Sequence, residues 1–162
     1  SRREHVMAYD APRGRVLIIG GHHENKPYMN DIWSWNGKYD RYLVYKLPPR
    51  PEPLANHACF VNRHEKTIIV FGGETDDQHS KYVPGNFSQN TWIYRKQISG
   101  WSREKRGRGK PVGLGIAATY DPLHRQGVAF GGWQNEFLSN KTYVWSYRNK
   151  LKRWVWREVK RR

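Results

Sequence analysis

With 162 residues the chain has room for one ordinary domain, and its 29 Lys+Arg against 14 Asp+Glu leave a net charge of +15. Eight Trp, ten Tyr and five Phe exclude a disordered chain, which would be aromatic-poor, and the single cysteine, Cys59, excludes an intrachain disulfide framework. No apolar run reaches the length of a membrane-spanning helix, and the opening residues Ser1-Arg2-Arg3-Glu4-His5 lack the apolar core of a signal peptide.

A short extended run, His5 to Asp10, comes first, followed by a turn at Ala11-Pro12-Arg13-Gly14, where Pro fixes φ and Gly permits a positive one. Arg15 to Ile19 is β-branched and too short for a helix, so it reads as a strand buried on both faces. Gly20-Gly21 ends it and leaves room for a neighbouring backbone. A third strand spans Asp31 to Trp35, Asn36-Gly37 marks a turn, and a fourth runs from Tyr42 to Leu47. Pro48 and Pro49 then stop the sheet.

The same order returns twice. The second unit has strands at His57 to Val61, Thr67 to Phe71, Thr91 to Tyr94 and around Trp101, with a turn at Asn62 to Glu65. The third has Gly115 to Tyr120, Gly127 to Phe130, Thr142 to Tyr147 and Trp154 to Val159, with a turn at Asp121-Pro122. Glycine pairs Gly20-Gly21, Gly72-Gly73 and Gly131-Gly132 close the second strand of each unit, 52 and 59 residues apart. Asp10, Asn62 and Asp121 precede the first glycine by ten positions, and the pairs Trp33/Trp35, Trp92/Tyr94 and Tyr143/Trp145 follow it. A later aromatic closes each unit: Tyr42, Trp101 and Trp154. A repeat of about this period, built of four antiparallel strands, is the makeup of a propeller blade. The expected fold is all-β, one domain over residues 1–162, with blades at about 4–49, 54–110 and 113–162. Trp35, Tyr94, Trp145, Tyr42, Trp101 and Trp154 should be buried where blades meet, because a blade cannot cover its own faces.

These residues resemble the kelch repeat family over nearly the whole chain. The likeness rests on Gly-Gly, the Trp/Tyr after it and the later Trp, in order, three times; Tyr42 departs from it by replacing that Trp. His5-Val-Met-Ala-Tyr-Asp10 followed by Arg-Gly-Arg-Val-Leu-Ile-Ile-Gly-Gly is similar to bacterial kelch proteins in particular. The resemblance implies a ring of about five to seven blades. Three blades therefore make a half-propeller or part of a larger ring. Their uncovered faces call for a protein partner or self-association of two half-rings as a homodimer.

Catalytic patterns are scarce. No Ser/His/Asp arrangement, phosphate-binding loop, His-Glu-x-x-His or Cys-x-x-Cys occurs, so a non-enzymatic module without cofactor or metal is expected. His22-His23-Glu24 is a dense cluster of metal-capable groups, but neighbours in a loop rarely share one ion, and a solvated loop is the preferred reading. Cys59 reads as a small buried hydrophobe, although the kelch superfamily includes copper-radical oxidases that join a Cys to a Tyr. His5 and His57 occupy one place in their blades, with Gly115 there in the third. The preferred reading is a strand-start hydrogen bond to a neighbouring backbone, with channel-lining groups as the alternative.

Charge gives the sharper signal. Residues 101–110 carry Arg103, Lys105, Arg106, Arg108 and Lys110 against one Glu, and residues 148–162 carry Arg148, Lys150, Lys152, Arg153, Arg157, Lys160, Arg161 and Arg162 against one Glu. These 25 residues hold +11 of the +15. Such clusters suit phosphate contacts, so the alternative expectation is a basic subunit of a ribonucleoprotein or other polyanion-binding assembly. The leading expectation is a scaffold that mediates protein–protein interaction. No membrane partner is expected, and the compartment is left open.

Overall fold

A computed structural model of the chain describes residues 1–24, 27–38, 43–45, 49–75, 86–95, 100–104, 109–134 and 137–160. Sheet 1 contains β1 (Val6–Asp10), β2 (Arg15–Ile19), β3 (Ile32–Trp35) and β4 (Leu43–Tyr45). Sheet 2 contains β5 (Ala58–Asn62), β6 (Thr67–Phe71), β7 (Thr91–Arg95) and β8 (Gly100–Glu104). In sheet 3, β9 (Ala117–Asp121) and β10 (Gln126–Phe130) are followed by a small ribbon, β11 (Trp133–Gln134) with β12 (Phe137–Leu138). Sheet 3 then resumes with β13 (Thr142–Arg148) and β14 (Arg153–Val159). All three sheets are four-stranded and antiparallel, with strands side by side in chain order. The strand that precedes each glycine pair is second in its sheet, as the repeat demands. The β11–β12 ribbon has no counterpart in the sequence reading, because two-residue strands carry no periodic signal.

Local chemistry explains the turns. Asn62 Oδ1 accepts from the His64 and Glu65 amides, and Asp121 Oδ1 does the same for Leu123 and His124, at 3.0–3.2 Å. A short Asx side chain closes the turn between first and second strand in both units. Asp10 uses its carboxylate differently, accepting from Arg13 at 2.9 Å and from Arg15 at 3.0 Å. Arg15 in turn donates to the Tyr94 hydroxyl at 2.8 Å, so a charged pair ties sheet 1 to sheet 2.

The sheets stack in order. One apolar cluster joins Ala8, Leu17, Ile19 and Ile32 of sheet 1 to Ile68, Val70, Trp92, Tyr94 and Trp101 of sheet 2. A second joins Phe60, Ile69, Phe71 and Ile93 of sheet 2 to Ala129, Tyr143, Trp145 and Trp156 of sheet 3. Along the inner edge β1 lies against β5 and β5 against β9. The first joint pairs an aliphatic face of sheet 1 with aromatics of sheet 2, and the second brings Phe60 and Phe71 of sheet 2 against the tryptophans of sheet 3.

Side-chain size is traded across these joints. Register makes Ala8 the equivalent of Phe60, and Ile68 the equivalent of Gly127. A Cβ on Gly127 would stand 2.2 Å from the Phe60 ring. Sheet 3 therefore gives up a side chain where sheet 2 offers a phenyl ring, which keeps the joint close-packed.

Four expectations about the sheets are corrected. Trp35 is 41% exposed, while its equivalents Tyr94 and Trp145 are 4% and 1% exposed. Trp35 points to the side of sheet 1 against which no other described sheet packs. For the same reason β2 is half-buried on one face, at Val16 and Ile18, whereas β6 in the middle of the stack is buried throughout. The buried partner of Trp145 is Trp156 rather than Trp154, as Trp101 is of Tyr94. Trp154 sits two residues earlier, half-buried and stacked on Trp145 with centroids 6.2 Å apart. Tyr42 lies outside the described residues. Finally, the counterpart of His5 and His57 in sheet 3 is Ile116. Gly115 aligns with Glu4 and Asn56, all three with positive φ.

Candidate functional site

Both ends of the stack expose a sheet face. On sheet 1 the outward face is Met7 and Tyr9 from β1, Val16 and Ile18 from β2, and Trp33 and Trp35 from β3, with Met7, Tyr9 and Trp35 exposed. On sheet 3 it includes Ala117, Thr119, Val128, Phe130, Val144 and Val155. Phe130 is 49% exposed, while the residues at its place in the other sheets, Ile19 and Phe71, are each 1% exposed. Exposed apolar side chains on a sheet face are the composition that interaction surfaces favour. The aromatic markers stand out along the chain, whereas Met7, Tyr9, Val16 and Phe130 do not. Their signal was the period-two alternation of the first two strands, combined with a place at either end of the stack.

The face of sheet 1 is framed by polar contacts. Trp33 Nε1 donates to Asp31 at 2.5 Å, and Arg2 makes two charge-assisted bonds to the same carboxylate at 2.7 and 2.8 Å. Burial pushes the Asp31 carboxyl up, but these donors outweigh it and hold it below the usual carboxylate range. Arg2, His5, Ile18 and Trp33 line an open cleft there.

The basic residues gather along the outer strands of sheets 2 and 3. Arg103 is exposed on β8, Lys152 caps the turn before β14, and Arg153, opposite Arg148, starts that strand. Arg157 is exposed on the outward face of sheet 3, beside Val144, and Lys160 is exposed beyond β14. The two sequence clusters approach each other: a Cβ on Gly109 would stand 3.7 Å from the Glu158 amide nitrogen. Lys110 donates to the Gln89 carbonyl at 2.8 Å. Lys105, Arg106, Arg108, Arg161 and Arg162 lie outside the described residues.

At the inner edge, His5 and His57 sit beneath the glycine pairs of their own sheets. Among the described residues, His5 Nδ1 and both ring nitrogens of His57 lack a well-formed hydrogen bond, although the His57 ring faces the backbone of Ile19, which favours its protonated form. Burial pushes the His57 pKa down to about 4; the Ile19 backbone opposes this, the His5 charge adds to it and Glu52 opposes it weakly. His5 is shifted down as well, by burial and then by Arg2. Because the folded value for His57 lies below its ordinary 6.5, the unfolded chain binds that proton more readily between the two values. The contribution is complete above the ordinary value and is lost as pH falls toward 4. We expect urea-unfolding stability to drop by roughly 3 kcal/mol across that window, and His57→Leu to remove the drop. An unchanged pH slope in the variant contradicts this assignment.

His22 is buried, its Nδ1 accepting from Arg3 Nε at 3.2 Å and its ring edge-on to Tyr28, so it is not part of a solvated loop. Cys59 packs half-buried against the first joint with its sulfur 3.6 Å from the Met7 carbonyl, and burial pushes the thiol up to about 11. A thiol shifted that far stays protonated at neutral pH. Among the described residues, no three of His, Cys, Asp or Glu gather closely enough to hold a metal ion.

No protein-family model matches the chain, and no curated protein does. The solved structure of YjhT matches 99% of the chain at a TM-score of 0.76 and 14% identity. The fold is similar to that of YjhT. At this identity the likeness speaks for the fold alone, and the chain spans 52% of the YjhT chain.

Proposed function

We propose that the chain is a stack of three kelch-type propeller blades, a half-ring or part of a larger ring. It acts as a non-enzymatic binding or scaffold module that mediates protein–protein contact through its two end faces. One observation carries this reading. Residues of two repeat positions are buried to 1–4% inside the stack, at Ile19 and Phe71 and at Tyr94 and Trp145, yet their equivalents Phe130 and Trp35 are 49% and 41% exposed at its ends. Bare faces of this composition call for a protein cover. The test combines sedimentation with titration of an anilinonaphthalene sulfonate dye. Either a species heavier than one chain or dye binding removed by Trp35→Ser with Phe130→Ser is expected. A folded chain that shows neither overturns the reading.

A second reading is supported by the approach of the 101–110 segment to β14 at Gly109 and Glu158. It makes the basic rim a polyanion-binding surface that contacts phosphates without reading base identity. Replacing Arg106, Arg108 and Lys110 with Ser should then weaken binding to unrelated RNAs about equally. It should also flatten the salt slope by roughly one unit per lost phosphate contact. Titration of labelled RNA at several salt concentrations checks this, and absence of wild-type binding at low salt eliminates it.

A further inference from the structure

We infer that the two bare faces are the halves of one further joint, filled by a second copy of this chain in a two-fold ring of six sheets. The inference rests on the stacked-blade reading above and adds the occupant and the register.

Side-chain size is the first argument. In both internal joints the first strand of one sheet and the second strand of the next contribute one residue each at matched positions. The pairs are Ala8 with Ile68, and Phe60 with Gly127. Small meets large, then large meets none, so the summed bulk stays nearly constant. The members left without a partner are Thr119 on sheet 3 and Val16 on sheet 1. Both are of middle size, and together they match the two internal pairs. A face built only for an unrelated protein has no reason to keep that balance.

Backbone hydrogen bonding is the second argument. Gly21 N–H donates to the Leu54 carbonyl and Gly73 N–H to the Gly113 carbonyl, each at 2.7 Å, tying each sheet to the segment that leads into the next. Gly132 N–H, the third of this set, has no acceptor among the described residues. Leu54 and Gly113 stand three residues before His57 and Ile116, and Arg2 stands three before His5. Clearance follows the same rule. A Cβ on Gly20 or Gly72 would meet Leu54 O at 2.8 Å or Gly113 O at 2.9 Å. Among the described residues, one on Gly131 would find nothing nearer than Ser139 O at 3.5 Å, where its counterparts meet the next chain segment. In the assembly Gly132 N–H of one copy donates to the Arg2 carbonyl of the other, and Trp35 of one covers Phe130 of the other.

Each copy offers one face of each kind, so two copies satisfy both joints.

Sedimentation equilibrium of the 162-residue chain tests the inference, with far-UV circular dichroism and urea melts on the same samples. We expect a mass of twice 19.2 kDa. Thr119→Phe, at a position exposed in the single chain, should overfill the joint and raise the dissociation constant about tenfold or more. Adding Val16→Gly should restore association to within about threefold by reproducing the Phe60–Gly127 arrangement. A folded monomer overturns the inference while leaving the dye titration to decide the binding-module reading. A dimer insensitive to Thr119→Phe, or one that Val16→Gly fails to rescue, overturns the register. A chain that neither folds nor associates overturns both readings.

Discussion

Trp145→Ala and Trp156→Ala are each expected to cost about 3–5 kcal/mol of unfolding free energy, and Trp154→Ala only about 1–2 kcal/mol. Trp145 and Trp156 are buried in the joint between sheets 2 and 3, with centroids 5.3 Å apart, and Phe71 lies 4.7 Å from Trp156. Removing either ring leaves a cavity bordered by strands that cannot close it, because β10 and β13 are held in register by their own ladder. Trp156 also donates Nε1–H to Thr91 Oγ1 at 3.0 Å in a buried site, so its loss strands a hydroxyl. Trp154 is half-buried, and its truncation opens toward water. Urea denaturation of the three variants measures the ranking. If Trp154→Ala proved the costliest, the β13–β14 register would be wrong.

Gly73→Ala should cost roughly 4 kcal/mol and broaden or abolish the cooperative melt. The residue has φ +83°, and an added Cβ would stand 2.6 Å from both the Ala55 carbonyl oxygen and the His57 Cβ. Those atoms belong to the segment entering β5, which has no flexible end to swing aside. The displacement would also strain the 2.7 Å bond from Gly73 N–H to the Gly113 carbonyl, which anchors the way into sheet 3. Gly14→Ala provides the control. It shares a left-handed backbone, with φ +59°, but nothing lies within 4 Å of its Cβ position. Only the backbone penalty of about 1–2 kcal/mol applies there. Equal losses for the two variants would mean that backbone conformation alone, and not close approach of the next segment, explains the glycine pairs.

Much of this molecule was legible in the chain, because its signals are local. The glycine pairs, the Asx residue ten positions before them and the short β-branched runs each act through neighbours in sequence. They placed the second strands at Arg15–Ile19, Thr67–Phe71 and Gln126–Phe130 within a residue of where they stand. Strand order followed, since strands consecutive in the chain usually lie side by side in a sheet. The basic clusters were equally plain, being a matter of composition.

Which of three equivalent aromatics is covered was decided elsewhere. Trp35, Tyr94 and Trp145 carry the same signal, yet only the last two are buried, since burial depends on what packs opposite and not on place within a repeat. The choice of Trp156 over Trp154 was hidden for a related reason: residues two apart share a face of a strand, and only the hairpin register separates them. The match of Phe60 to Gly127 likewise exists only where two sheets meet. Backbone and turn chemistry between near neighbours set the repeating unit, its strands and their order, so these could be read along the chain. Packing settled which faces are covered, which side chains interlock and which surfaces are left for a partner, because those properties belong to pairs of sheets distant in sequence.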